Sequence, residues 1–227
     1  MVEERQKLKQ EGTPFRPGWW GTELPGGRPR VGTYGLYPHQ NLPPLPFDFQ
    51  GDFAWLASQP THKNHIAGEK SAENKSALAK LLSAQADGVH RPPNALVKFF
   101  SVPELQRRIR SCTDCYLDLS SAFVPCPNVD GFLLRFLADS QGCVFWYVFR
   151  PAAADDHCVV ASPDFYGTED EQWDSQSPDP AQIIFCEQSF ERFLCRFWLE
   201  NEIWYADHEK RPMMPLGQKY LEFYGLA

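Results

Sequence analysis

The clearest pattern in the chain is three apolar runs separated by turn residues, at residues 132–139, 143–149 and 157–161. Runs of this length, with Ser140-Gln-Gly142 and residues 150–156 between them, predict consecutive antiparallel strands. The middle run has no polar face. Cys143, Phe145, Tyr147 and Phe149 alternate with Val144, Trp146 and Val148. A strand apolar on both sides must be covered on both, so this one is predicted to be central. In the first run Arg135 and Asp139 share a parity with Leu133 and Leu137, which predicts a half-wet face or a paired arginine.

Helical spacing flanks these runs. Ser71 reads as an N-cap ahead of Ala77, Leu78, Leu81 and Leu82, with Gly88 closing the run. Asn94 reads as the cap of a short helix presenting Leu96, Phe99 and Phe100. Ser101-Val-Pro-Glu104 has the form of a capping box. It predicts a helix with Leu105 and Ile109 inward and Arg107, Arg108 and Arg110 solvated. Residues 113–120 alternate, with Cys115, Leu117 and Leu119 on one side and Tyr116 and Asp118 on the other; residues 183–185 give one more short strand. The strongest helix follows Ser189, with Glu191 in its first turn and Phe190, Phe193, Leu194, Phe197, Trp198 and Ile203 recurring at three and four. Leu216, Tyr220 and Phe223 or Tyr224 mark a last amphipathic turn. The fold class read from this pattern is α+β: a mixed, mainly antiparallel sheet of five or six strands flanked by helices.

The N-terminal quarter breaks the pattern. Residues 12–46 are so rich in proline and glycine that regular structure is not expected there. Yet Trp19, Trp20, Tyr34, Tyr37, Phe47, Phe49, Phe53 and Trp55 are interleaved. Aromatics need burial, so the reading is an irregular arm over residues 1–60, packed on a single domain over residues 61–227 or docking on a partner. The Pro43-Pro44-Leu-Pro46 run offers a weak Pro-rich ligand motif.

Two or three helices, a run of mainly antiparallel strands and then a Ser-Phe-x-x-Phe-Leu helix give the chain a resemblance to the SUKH superfamily. It rests on Pro93-Asn-Ala-Leu96 with Phe99, on Trp146-Tyr147, on Val159-Val160, and on Ser189-Phe-Glu-Arg-Phe-Leu194. It spans residues 71–206, with residues 216–224 resembling the family tail, and leaves the Gly/Pro-rich start unexplained. The resemblance implies a mostly non-enzymatic binding protein, either a toxin-neutralising immunity protein or a signalling scaffold, with a mixed sheet flanked by helices.

A net charge of −7 argues against a nucleic-acid or anionic-membrane partner. No run approaches the roughly 18 apolar residues of a membrane span, and the charged start lacks an apolar signal core, so a cytoplasmic, reduced protein is expected. Neither a cofactor nor a metal is expected. Cys112-Thr-Asp-Cys115, with Cys126 and His157-Cys158, has zinc-like residue types but lacks the second C-x-x-C pair that a zinc site usually needs. Buried, inert thiols are the expectation. No catalytic residue is assigned. The enzymatic alternative is a small cysteine-dependent hydrolase, with Cys186 as nucleophile, His157 or His208 as base, and Asp155, Asp156 or Asp207 as orienter.

The acidic segment carries the functional expectation. From residue 151 to residue 191 there is no lysine or arginine, while Asp155, Asp156, Asp164, Glu169, Asp170, Glu171, Asp174, Asp179, Glu187 and Glu191 fall in that interval. Phe165, Tyr166 and Trp173 sit among them. Acids around large aromatics suit an interface for a basic protein partner, with Trp173 as anchor. The candidate partner-binding residues are Asp155, Asp156, Phe165, Tyr166, Glu169, Asp170, Glu171, Trp173 and Asp174.

Overall fold

A computed structural model describes residues 13–84, 90–153, 156–168, 171 and 178–224. The strands are β1 (Arg16–Gly21), β2 (Gly35–Pro38), β3 (Tyr116–Leu117), β4 (Val124–Pro125), β5 (Gly131–Ala138), β6 (Phe145–Pro151), β7 (Cys158–Ser162) and β8 (Ile184–Glu187). The helices are α1 (Ala54–Ala57), α2 (Ser71–Ser83), α3 (Asn94–Ser101), α4 (Pro103–Gln106), α5 (Phe190–His208) and α6 (Pro215–Glu222). The strands form one sheet in the order β2-β1-β8-β7-β6-β5-β3, with β4 also paired to β5. All pairings are antiparallel except β1 with β8. The class is therefore α+β with a mixed sheet. The expected strand count of five or six is corrected to eight. The excess comes from β1 and β2 in the Gly/Pro-rich start and from β4, which at two residues is too short to show a period; the strand read over residues 113–120 is β3, shortened to Tyr116–Leu117.

β6 lies inside the sheet and is covered on both faces. Val144, Trp146 and Val148 join a large core on the helix side, and Phe145, Tyr147 and Phe149 join a smaller core on the opposite side. The parity expected of β5 holds only up to Arg135. A register shift between Arg135 and Leu137 turns both Phe136 and Leu137 into the helix-side core, whereas Leu133 and Ala138 face the smaller one. One extra residue in a strand reverses the alternation that follows it. Arg135 is paired: its guanidinium donates to Asp118 at 2.9 Å and to Glu171 at 2.8 Å.

α5 organises the helix side. Ser189 Oγ accepts from Arg192 N at 3.3 Å, as the capping pattern predicts, and His157 Nε2 accepts from Phe190 N at 3.3 Å. The Ser101–Glu104 capping box does not form. α3 runs on through Ser101, and α4 starts at Pro103 with Val102 before it and no side-chain cap. Ser71 lies inside α2, after Lys70, instead of capping it; Gly88 lies outside the described residues. Arg110, expected in solvent, is buried and donates to Glu202 at 2.8 and 3.1 Å.

The expectation of an irregular N-terminal segment is corrected as well. β1 runs antiparallel to β2 and parallel to β8. A Cβ on Gly18 would stand 2.8 Å from a methyl of Leu36 in β2, so that side chain would have to turn aside. Trp19, Leu24, Leu42, Leu45, Phe53, Trp55 and Leu56 from this segment are buried in the helix-side core. The segment is tied to α5 through buried charge. Glu191 accepts from Gly51 N at 2.5 Å, Phe53 N at 2.7 Å and Trp55 Nε1 at 3.1 Å. These bonds hold Phe53 in the left-handed region at φ 58°, a conformation that costs a non-glycine residue about 1–3 kcal/mol. Glu200 accepts from Trp19 Nε1 at 2.8 Å, Arg28 Nη2 at 2.5 Å and Tyr220 Oη at 2.7 Å. Arg196 donates to Glu187, to the Pro43 carbonyl and to Tyr220 Oη at 2.8–2.9 Å. Burial alone would raise the Glu187 carboxyl, but Arg196 and Arg192 hold it below the usual range.

Candidate functional site

The described part of the acidic segment lies against the outer face of the sheet, opposite α5. Phe165 meets Phe145 edge to face at 5.2 Å and lies 4.5 Å under the Arg135 guanidinium. Tyr166 packs on Tyr147 at 6.0 Å, and its backbone N donates to Tyr147 Oη at 2.9 Å. Glu171 pairs with Arg135 and accepts from Thr168 N at 3.1 Å. Asp179 N donates to Asp164 Oδ2 at 2.7 Å, closing the base of the intervening residues. Asp156 is exposed and accepts from the next backbone N–H. Phe165, Tyr166 and Glu171 are therefore brought together, and they cover the smaller core. Asp155, Glu169, Asp170, Trp173 and Asp174 lie outside the described residues.

The cysteines are dispersed. Cys115 belongs to the helix-side core and Cys126 to the opposite one, with Cys158 packed against the latter. The ligands of the zinc reading are thus divided between two faces of a sheet. Among the described residues, no group of three or more histidine, cysteine, aspartate or glutamate side chains is arranged to hold a metal ion. Burial pushes the thiols of Cys112 and Cys158 up to about 12, and those of Cys115 and Cys126 up to about 11. Cys186, the nucleophile of the hydrolase alternative, is fully buried in β8, and burial holds its thiol protonated. His157 spends Nε2 on the start of α5, and the ring of His208 stacks on Trp204 at 4.6 Å.

A second site is absent from the sequence reading. Around the loop that carries Cys112 and Cys115, four separate segments converge: residues 22–34, residues 111–115, the β5–β6 turn and the middle of α5. They enclose a cleft of about 280 Å³ bordered by Glu23, Arg30, Thr33, Asp114, Gln141 and Trp204, with Thr22, Cys112 and Thr113 also in its lining. The groups behind it are fixed. Fully buried Asp139 accepts from Tyr34 Oη at 2.8 Å, Gln141 N at 2.9 Å and Cys143 N at 3.1 Å. The Tyr34 hydroxyl has one proton, and the carboxylate takes it. The 2.7 Å contact between Tyr34 Oη and Thr113 Oγ1 then has threonine as donor. Ser111 Oγ accepts from Thr113 N and Cys115 N and completes the chain through a 3.1 Å contact to Thr113 Oγ1. Asn201 on α5 accepts from Cys112 N at 2.6 Å, and Tyr205 Oη donates to the Ser111 carbonyl at 2.9 Å. The sequence signal for this site was slight: a polar Asp139 at the end of an apolar strand, and a tyrosine in a glycine-rich stretch.

Among the described residues no helix is long and apolar enough to cross a membrane. Comparison with protein-family models, curated proteins and solved structures finds no match.

Proposed function

We propose that this chain is a non-enzymatic protein-binding module of the SUKH type that receives a basic protein partner on the acidic segment between Arg150 and Arg192. The element order supports the reading: short helices, an antiparallel run of strands, then a serine-capped helix across the sheet. The observation that carries it is the charge distribution on the outer face. The interval has no lysine or arginine of its own; its half-buried Glu171 is matched by Arg135 and its buried Glu187 by Arg192 and Arg196. Asp156 and Asp179 are exposed. A rigid base of Phe165, Tyr166 and Glu171 lowers the ordering cost for a partner that engages the remaining residues.

The test starts from a basic protein captured by the wild-type chain. Glu169→Gln/Asp170→Asn removes two charges while sparing Glu171, which holds Arg135. It should slow association, and the loss should shrink as salt rises, because exposed charges are screened over about 8 Å at physiological ionic strength. Trp173→Ala should speed dissociation, at a cost of about 2 kcal/mol or more if it anchors the interface. Unchanged kinetics in both variants would place the interface elsewhere.

A further inference from the structure

The cleft on the Cys112–Cys115 side is independent of the acidic segment. Its rim carries charges of both signs, Arg30 against Glu23 and Asp114, and among the described residues no ion pair engages any of the three. The other charged residues with buried side chains along α5 are matched within the fold, so the cleft concentrates charged groups with free bonding capacity. Its inner lining is neutral: hydroxyls of Thr22 and Thr113, and a Cys112 thiol that burial keeps protonated. Beside it lies a pocket of about 10 Å³, room for a single water, lined by Thr22, Thr113 and Trp20, whose indole N–H is buried with no acceptor among the described residues. Half-buried Trp204, backed by His208, supplies an aromatic wall.

These features select a ligand class. A free anion would meet Glu23 and Asp114, and a free cation would meet Arg30. A charged group carried to the inner lining would find hydroxyls but no counterion, and burying charge without a partner is costly. Sugar hydroxyls both donate and accept, so they can give protons to the two carboxylates and to the threonine oxygens and take them from Arg30. The C–H face of a sugar ring suits an aromatic wall. At about 280 Å³ the cleft stands at the lower edge of the roughly 300–1,000 Å³ typical of drug-sized ligands. We propose that it binds a small, neutral, polyhydroxylated ligand of about monosaccharide size. The walls are held by the Ser111–Thr113–Tyr34–Asp139 chain and by Asn201, so the site is formed in advance of binding.

The experiment uses the full chain with glucose, galactose, mannose, N-acetylglucosamine and ribose as probes, and glycine and glutamate as charged competitors. Binding is read by saturation-transfer NMR and titration calorimetry. At least one sugar is expected to bind with a Kd of about 1 mM or tighter, a modest affinity for a small ligand. Arg30→Gln and Asp114→Asn should each weaken it at least about tenfold, the scale of a hydrogen bond to a charged group. Asparagine also tolerates the positive φ of 55° at position 114. Both side chains are exposed, so melting temperatures should hold in both variants, and Arg107→Gln, at an exposed position outside the cleft, should bind as wild type. The proposal is overturned if no sugar binds saturably, if binding survives both rim substitutions, or if the amino acids bind and the sugars do not.

Discussion

The two faces of the sheet are closed by different means. On one, the 19-residue α5 lies across the strands and is itself overlaid by the N-terminal segment. The contact between helix and segment is charged: Glu191, Arg196 and Glu200 all reach residues before position 56. On the other face there is no helix among the described residues. Phe15, Phe165 and Tyr166 come from loops and lie on Phe145, Tyr147 and Phe149, with Arg135 clamped between Asp118 and Glu171. The helix side joins distant parts of the chain. The outer side is a thin cover of loop aromatics.

The sharpest way to break this contrast is to remove the N-terminal segment. A chain starting at residue 61 loses Trp19, Leu24, Leu42, Leu45, Phe53, Trp55 and Leu56 from the core. Each such side chain contributes roughly 1.5–3 kcal/mol on burial. Together they amount to roughly 10–21 kcal/mol, which matches or exceeds the ~5–15 kcal/mol net stability of a typical domain, and the truncated chain should lack a cooperative thermal transition. A two-state transition with an unchanged midpoint would show that residues 1–60 are only an accessory.

Much of this architecture was legible because two periods are strong. β6 alternates without a polar residue, and α5 repeats its aromatics at three and four, so position and partner face followed directly. The N-terminal strands were not legible, since β1 contains Pro17 and two glycines and becomes a strand through its pairing with β2 and β8. The bulge in β5 was hidden because alternation is only a local rule. Arg110 read as solvated because its partner, Glu202, lies far along the chain. For the same reason the cleft was invisible: Glu23, Tyr34, Thr113, Asp139 and Asn201 carry no spacing signal and meet only in the fold. The acidic segment was legible as composition, but composition did not reveal that Phe165, Tyr166 and Glu171 serve the outer core.

A narrower cut targets the charged seam. Arg196→Met keeps the volume and removes the bonds to Glu187, Pro43 and Tyr220. Removing one member of a buried pair costs about 3–5 kcal/mol, because the remaining charge stays buried. The acid limb supplies a second reading. Glu187 has a depressed carboxyl in the folded state, so its stabilisation is present above the unfolded value of about 4.3 and is lost as pH falls through the folded one. In Arg196→Met that acid-sensitive component should shrink, flattening the fall in stability below about pH 4.3. A variant with wild-type stability and an unchanged acid limb would mean that the seam is ornamental and apolar packing alone holds the segment.

The mildest change is expected on the outer face. Phe165 is half-buried and touches Phe145 and the Arg135 guanidinium. A fully buried Phe→Ala costs about 3–5 kcal/mol, because a cavity remains; at the rim, water can fill the space, and about 1–2 kcal/mol is expected for Phe165→Ala. Arg135 keeps Asp118 at 2.9 Å, so no charge is stranded. Phe193→Ala in α5, fully buried against Trp19, Phe136 and Trp146, supplies the matched control at the full cost. Denaturant midpoints measure both. Hydrogen exchange should localise the Phe165 effect to β5, β6 and residues 163–168, whereas Phe193→Ala should loosen the whole sheet and the N-terminal segment with it. Equal costs, or equally global exchange, would mean that the outer cover is as integral as the helix, and that the acidic segment attached to it is a structural closure with little freedom to receive a partner.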